Sequence, residues 1–277
     1  MLFRSYDGDG LHGFADQPDH PTVVGLLRAT LRSQFQLDDF PFIVGAGRTD
    51  TGVHAWAQTV HVDLPEPLYR DQRGEESDRL VRSLNAQLAG RVRVLRALPV
   101  ATEFHARFSA LWRAYRYLVV PDGGPGLTVT NSLAWSVRGP LDVERMNAAA
   151  AELIGEHDFR AFCKRAEGAS PDDPVRREVL TARWSLIPDV AALTPAGSEF
   201  VRFDIRATSF CHNMVRSLTS ALVAVGQGQL QPVDIAHRLV SPDRSGLPAP
   251  APAKSSSPPS NSSPASPPSS SVSSRSS

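Results

Sequence analysis

The sequence predicts a mixed fold, α/β or α+β, built as two similar α/β lobes with a cleft between them and followed by a disordered tail. Three observations carry this. Segments with helical apolar spacing interleave with segments of period-two spacing over the first 240 residues. Each half offers strands plus two helices, which suits two layered lobes. From Ser241 the composition collapses into Pro, Ser and Ala, which cannot bury enough apolar surface to offset chain entropy. The expected divisions are 1–105, 106–240 and 241–277.

Thr22 followed by Val23, Val24, Leu26, Leu27, Leu31 and Phe35 predicts an amphipathic helix with a threonine cap. Pro41-Phe42-Ile43-Val44 is a short apolar run, and Gln58, Val60, Val62 and Leu64 belong to a second extended segment. Ser77 with Leu80, Val81, Leu84 and Leu88 predicts another capped helix, ended by Gly90. Residues 91–95 and 111–120 alternate as strands. The second half predicts a helix near 143–154, strands near 178–186 and 200–207, a helix from about Phe210 to Val225 closed by Gly226, and another after Pro232.

Between the first two extended segments lies Gly45-Ala46-Gly47-Arg48-Thr49-Asp50-Thr51-Gly52, with three glycines in eight residues. Such a loop turns sharply and approaches a ligand closely, carrying Arg48 and Asp50 outside any packed face. A dinucleotide fingerprint needs a third glycine and a following helix, and this stretch offers neither. On pattern alone Asp50 is a site carboxylate or a turn residue bonding nearby amides. Arg113, Tyr115 and Tyr117 share one strand face, which is a base-stacking platform flanked by cations or ordinary core packing. In the helix from Phe210, the residues Phe210, Met214, Leu218, Ala221, Leu222 and Val225 form one apolar stripe. His212 and Arg216 lie on another face, so Arg216 points away from the core, where a cation can orient a cleft carboxylate. His54 and His61 have no metal-site company and read as structural or solvated.

The 29 basic and 29 acidic side chains cancel, which argues against indiscriminate polyanion binding and leaves only local patches. Lys occurs only at 164 and 254, so the candidate patches are arginines: 91/93/96, 107/113/116, 176/177/183 and 202/206/216. Cys163 and Cys211 have no CxxC or zinc-ligand spacing and are expected as reduced thiols, without disulfide or metal. The start lacks a signal-peptide core and no apolar run reaches membrane length, so a cytoplasmic protein without a membrane partner is expected.

Five stretches together resemble the tRNA pseudouridine synthase A family. They are Ala46-Gly47-Arg48-Thr49-Asp50-x-Gly52-Val53-His54-Ala55, Phe104-His105-Ala106-Arg107-Phe108-Ser109-Ala110, Arg113-x-Tyr115-x-Tyr117, Gly155-x-His157-Asp158-Phe159-x-Ala161-Phe162 and Phe210-x-His212-x-Met214-Val215-Arg216. The resemblance spans roughly nine tenths of the chain. It implies the pseudouridine synthase fold, an α+β fold of two lobes on one continuous, mainly antiparallel sheet. It also implies isomerisation of uridine at positions thirty-eight to forty of the tRNA anticodon stem-loop, without a cofactor or metal, by a homodimer that holds a tRNA. By that resemblance Asp50, Tyr115 and Arg216 are catalytic, and Arg48, Tyr115 and Phe210 contact the substrate. After Ala251-Pro252-Ala253 the family continues with a Gly-Leu pair and a closing strand, where this chain has Lys254 and a Ser/Pro tract. The final strand is therefore expected to be missing. Two other readings stand beside an active synthase. One is an RNA-binding remnant with impaired catalysis; the other is a nucleotide-binding or hydrolytic α/β enzyme, which needs a helix after Gly52.

Overall fold

A computed structural model describes residues 2–65, 75–121, 133–165, 168, 170, 172–187, 200–253 and 255–257. In chain order the elements are β1 (Leu2–Tyr6), α1 (Val23–Phe35), β2 (Ile43–Gly45), β3 (His54–Val62), α2 (Glu75–Gln87), β4 (Val92–Ala97) and β5 (Arg113–Val120). Then come β6 (Ala134–Ser136), α3 (Val143–Ala151), β7 (Gly155–Asp158), a 3-10 turn at Arg160–Phe162, β8 (Arg176–Ile187), β9 (Phe200–Ala207), α4 (Met214–Gly226), α5 (Pro232–Val240) and β10 (Ser255–Ser257). The fold is α+β.

The main path of the sheet runs β4-β1-β3-β10-β5-β9-β8-β7, with β2 added on β3 and β6 on β5. Pairing is antiparallel except for β10 on β3 and β6 on β5. Period-two burial along β9 from Val201, and along β4 up to Leu95, sends alternate side chains to the core; in β4 the register shift against β1 breaks the alternation at Leu95 and Arg96. One cluster of buried side chains gathers Leu27 and Leu31 of α1 and Leu84 of α2 with β-strand residues up to Ala97. A second gathers Met146 of α3, Leu218 and Leu222 of α4 and Ile235 of α5 with Tyr117, Trp184 and Phe203 of the sheet.

Thr22 caps α1 as expected, its hydroxyl accepting the Gly25 amide at 3.1 Å. Ser77 differs: it lies inside α2 and its hydroxyl donates to the Ala97 carbonyl at 2.5 Å, so it fastens α2 to the end of β4. The helix expected from Phe210 begins only at Met214, because Asn213 takes a left-handed conformation, φ 64°, and the preceding residues run as loop. His212 and Arg216 therefore do not share a helix face. The element after Gly52 is a strand, which eliminates the nucleotide-binding reading that required a helix there.

Two expectations about the C-terminus are corrected. Ordered chain does not stop at Ser241: Ala251 is buried, its amide donates to the Arg216 carbonyl at 3.0 Å, and Arg244 donates to the Cys163 carbonyl at 2.7 Å. Composition missed this because the segment is held mainly by hydrogen bonds from distant side chains, Tyr117 to the Pro252 carbonyl among them. Nor is the closing strand missing. Ser256 pairs with His54 of β3 on one side and Arg116 of β5 on the other, so three serines join the two halves of the sheet through backbone groups that any sequence supplies. Lys254 and the rest of the Ser/Pro tract lie outside the described residues.

The two cysteines are also corrected. Cys163 and Cys211 form a disulfide, with Cα atoms 5.8 Å apart, in the usual range for such a link. The Lys164 amide donates to the His212 carbonyl at 2.8 Å, and this contact between distant segments is what sequence spacing could not show.

Asp158 fixes the turn after β7. Its carboxylate accepts the amides of Arg160 at 3.1 Å and Val175 at 2.9 Å and the Arg160 Nε at 2.7 Å. Burial pushes its pKa up, and the Val175 and Arg160 bonds override that, leaving it below the ordinary carboxylate value. A depressed carboxylate stabilises the fold above its unfolded pKa and loses that contribution as pH falls through the folded one. Asp158→Ala is expected to cost about 2 kcal/mol in urea unfolding at neutral pH. The gap between parent and variant should persist above about pH 4 and shrink below it; a gap that widens in acid would contradict the assignment. A chain ended after Ala253 should be about 2 kcal/mol less stable than one ended after Ser257, since it loses the β10 bonds to β3 and β5. Equal urea midpoints would show that β10 contributes nothing.

Candidate active site

The Gly-rich loop that carries Asp50 is fastened at Ala46, Gly47 and Thr49, just ahead of the carboxylate. The Ala46 amide donates to Thr59 at 2.9 Å and the Gln58 side chain donates to the Gly47 carbonyl at 2.6 Å. Arg113 of β5 donates to the Ala46 carbonyl through Nε at 3.0 Å and Nη2 at 2.9 Å, while its Nη1 reaches the Thr208 carbonyl at 2.7 Å. One guanidinium thus ties the loop to the end of β9. Thr49 bonds the Tyr6 hydroxyl at 2.8 Å and its carbonyl accepts the Phe14 amide at 3.1 Å.

Backbone lies close on two sides of the loop. At Gly13, φ 86°, an added Cβ would sit 2.9 Å from the Thr49 oxygen, and at Gly52, φ 80°, one would sit 3.0 Å from the Ala253 oxygen. Positive φ and the lack of room both demand glycine there. The C-terminal segment thus passes beside the Asp50 loop.

Asp50 projects into an open cavity of about 450 Å³. Its Oδ2 lies 3.5 Å from Arg216 Nη1 and its Oδ1 lies 3.8 Å from His212 Nε2. The Arg216 guanidinium is oriented independently: Nε donates to the Ala251 carbonyl at 2.6 Å and Nη1 to the Asn213 side chain at 3.0 Å. The structure therefore brings Asp50, Arg216 and Arg48 into one cavity. Sequence reasoning missed His12 and Lys164 on the same wall. Lys164 is one of only two lysines, yet nothing in its surroundings marks it; it enters through the contact with His212.

Tyr115 and Phe210 pair with each other outside the lining of that cavity, ring centroids 5.1 Å apart at 88°. Burial pushes the Tyr115 phenol well above its ordinary pKa; Tyr6 and Asp50 add to this and Arg113 opposes it. Tyr115 is therefore a phenol, close enough to Asp50 to feel its charge. Tyr117, on the same strand face, is fully buried and donates to the Pro252 carbonyl, so the expected two-ring platform reduces to Tyr115.

The arginine patches divide in the same way. Arg116 and Arg202 both pair with Asp204, at 2.8 and 2.6 Å, and Arg176 pairs with Glu156 at 3.5 Å. His54 lies 2.8 Å from Asp7, and His61 is buried and accepts the Ala106 amide at 2.9 Å, so both are structural. Among the described residues no cluster of three or more His, Cys, Asp or Glu side chains could hold a metal, and no helix is long and apolar enough to cross a membrane. Chemically, the cavity offers one oriented carboxylate amid Arg48, Arg216 and Lys164. That arrangement suits an anionic ligand presenting an electrophilic or acidic centre to Asp50.

A family model described as tRNA pseudouridine synthase matches residues 149–257. The chain is 43% identical over 233 residues to tRNA pseudouridine synthase A of Frankia casuarinae, covering 83% of this chain and 77% of that protein. It is 41% identical over 229 residues to the protein of the same name from Streptomyces griseus, covering 82% and 75%. With the Bacillus pumilus protein of that name it shares 34% identity over 240 residues, 87% of this chain and 89% of the other. With likeness of this extent and an oriented carboxylate in the loop that carries the resemblance, the chain belongs to the tRNA pseudouridine synthase A family.

Proposed function

We propose that this chain is a tRNA pseudouridine synthase that isomerises uridine at positions thirty-eight, thirty-nine and/or forty of the anticodon stem-loop, with Asp50 as the reacting carboxylate. The observation that carries the reading is Asp50 in an open cavity, one oxygen facing Arg216 at 3.5 Å and the other turned toward His212. In the reaction the bond from N1 to the ribose C1′ breaks, C5 takes its place, the C5 proton leaves and N1 gains one. A carboxylate serves either by adding to the uracil ring or by attacking C1′, and the two routes remain alternatives. Arg216 holds and aims Asp50. Arg48, exposed at the cavity rim, contacts the phosphates or the displaced nucleotide.

Tyr115 and Phe210 contact the turned base, Tyr115 by stacking. Burial, with smaller contributions from Tyr6 and Asp50, keeps Tyr115 a phenol in the resting site, so it must lose its own proton before it can take the one from C5. Covalent engagement of Asp50 removes one of the charges that raise its pKa, which makes the phenolate easier to form as the reaction proceeds. The reading extends to two lobes, 1–105 and 106–240, flanking the cleft, to a homodimer, and to a cytoplasmic location. The rival remnant reading supposed catalysis or folding lost through altered ends, and the pairing of β10 with β3 and β5 weighs against it at the C-terminal end.

Tritium release from tRNA labelled at uridine C5 tests this. The parent should release tritium and Asp50→Ala should release none; a folded, tRNA-binding parent that releases none would defeat the proposal. Tyr115→Phe preserves the ring and should leave tRNA affinity within about threefold while slowing release about a hundredfold. Unchanged release would remove the hydroxyl from proton transfer.

A further inference from the structure

Phe108 is 77% exposed, on a turn that belongs to none of the helices or strands. A lone exposed apolar ring is ordinary. This one is built. The amides of Phe108 and Ser109 both donate to the His105 carbonyl, at 3.0 and 2.7 Å, and the Ser109 hydroxyl accepts the His105 amide at 3.1 Å. The His105 ring stacks on Phe108 with centroids 4.4 Å apart at 29°, and His61, buried on β3, meets His105 edge-on at 4.8 Å. Three rings thus run from the interior to the surface and end in an aromatic ring held out in solvent, so its ordering entropy is already lost before any ligand arrives.

Two further observations say what the ring is for. The Arg107 guanidinium lies 5.9 Å from the Phe108 centroid, an arrangement of cation and aromatic ring suited to a base and its phosphate. The Arg107 carbonyl also accepts Arg113 Nη2 at 2.5 Å, from the guanidinium that holds Ala46 in the Asp50 loop. The exposed ring and the carboxylate loop are fastened to one side chain.

We propose that Phe108, backed by His105 and flanked by Arg107, is a stacking seat for an unpaired nucleobase of the RNA whose uridine enters the Asp50 cavity, an inference that rests on the synthase reading above. A paired base offers no free face, so the seat selects splayed or loop nucleotides.

The full-length chain is tested for affinity to a tRNA transcript and to a fully paired RNA duplex. Phe108→Ala and Phe108→Leu should weaken tRNA binding by about fivefold to a hundredfold, and Phe108→Trp should restore it, with its emission quenched on binding. Duplex affinity should not change. Leu keeps bulk and hydrophobicity but lacks a π face, so a Leu variant that binds tRNA like the parent overturns the seat. So does an equal loss on tRNA and duplex. Tritium release by the parent is read in parallel: release without dependence on Phe108 defeats the seat and leaves the synthase reading intact. Dependence on Phe108 without release does the reverse.

Discussion

The rest of the site depends on the hydrogen bonds of one side chain, Arg216. Its guanidinium faces the Ala251 carbonyl, the Asn213 amide group and the Asp50 carboxylate, and its own carbonyl accepts the Ala251 amide. Three segments far apart in sequence meet there. A guanidinium can do this because its donors leave a rigid plane in different directions, which an ammonium on a flexible stem cannot reproduce. The left-handed Asn213 starts α4 at the residue that lets Arg216, on its first turn, face the cavity.

Arg113 plays the complementary part from the sheet. Arg216 aims the carboxylate, and Arg113 fixes the loop that bears it, through four backbone carbonyls that would otherwise have to find other donors: Ala46, Arg107, Ala110 and Thr208. Burial lowers its pKa, as expected of a guanidinium drawn out of water to satisfy those groups. Positional accuracy at Asp50 thus comes from side chains on other elements more than from the loop itself.

Much of this was legible in the sequence. The strand expected near 200–207 is β9, the threonine cap located the start of α1, and the Gly-rich loop singled out Asp50. Resemblance singled out Arg216, and the helix-face argument placed it correctly, away from the buried stripe of Met214, Leu218, Ala221, Leu222 and Val225; the same argument failed for His212, which lies before the helix start at Met214. What stayed hidden arises from contacts between distant segments. Lys164 meets His212, Cys163 meets Cys211, and Ala251 is buried by groups on β5 and α4 whose positions no local pattern encodes. The serine strand β10 was invisible for a different reason. It is held through its main chain, and composition reports only on side chains.

The position of β10 in the chain has a consequence for biogenesis. Both its neighbours, β3 and β5, are made long before it, and the Ala251 carbonyl that orients Arg216 is made almost as late. During synthesis each half can collapse around its own apolar cluster, because one cluster draws its buried residues from Tyr6 to Ala97 and the other from Tyr117 to Ala251. The two halves become one sheet, and the carboxylate gains its oriented cation, only when the segment through residue 257 has left the ribosome. Until then a nascent chain displays the Asp50 loop without the partner that aims it, so assembly of the site waits on the segment around Ala251.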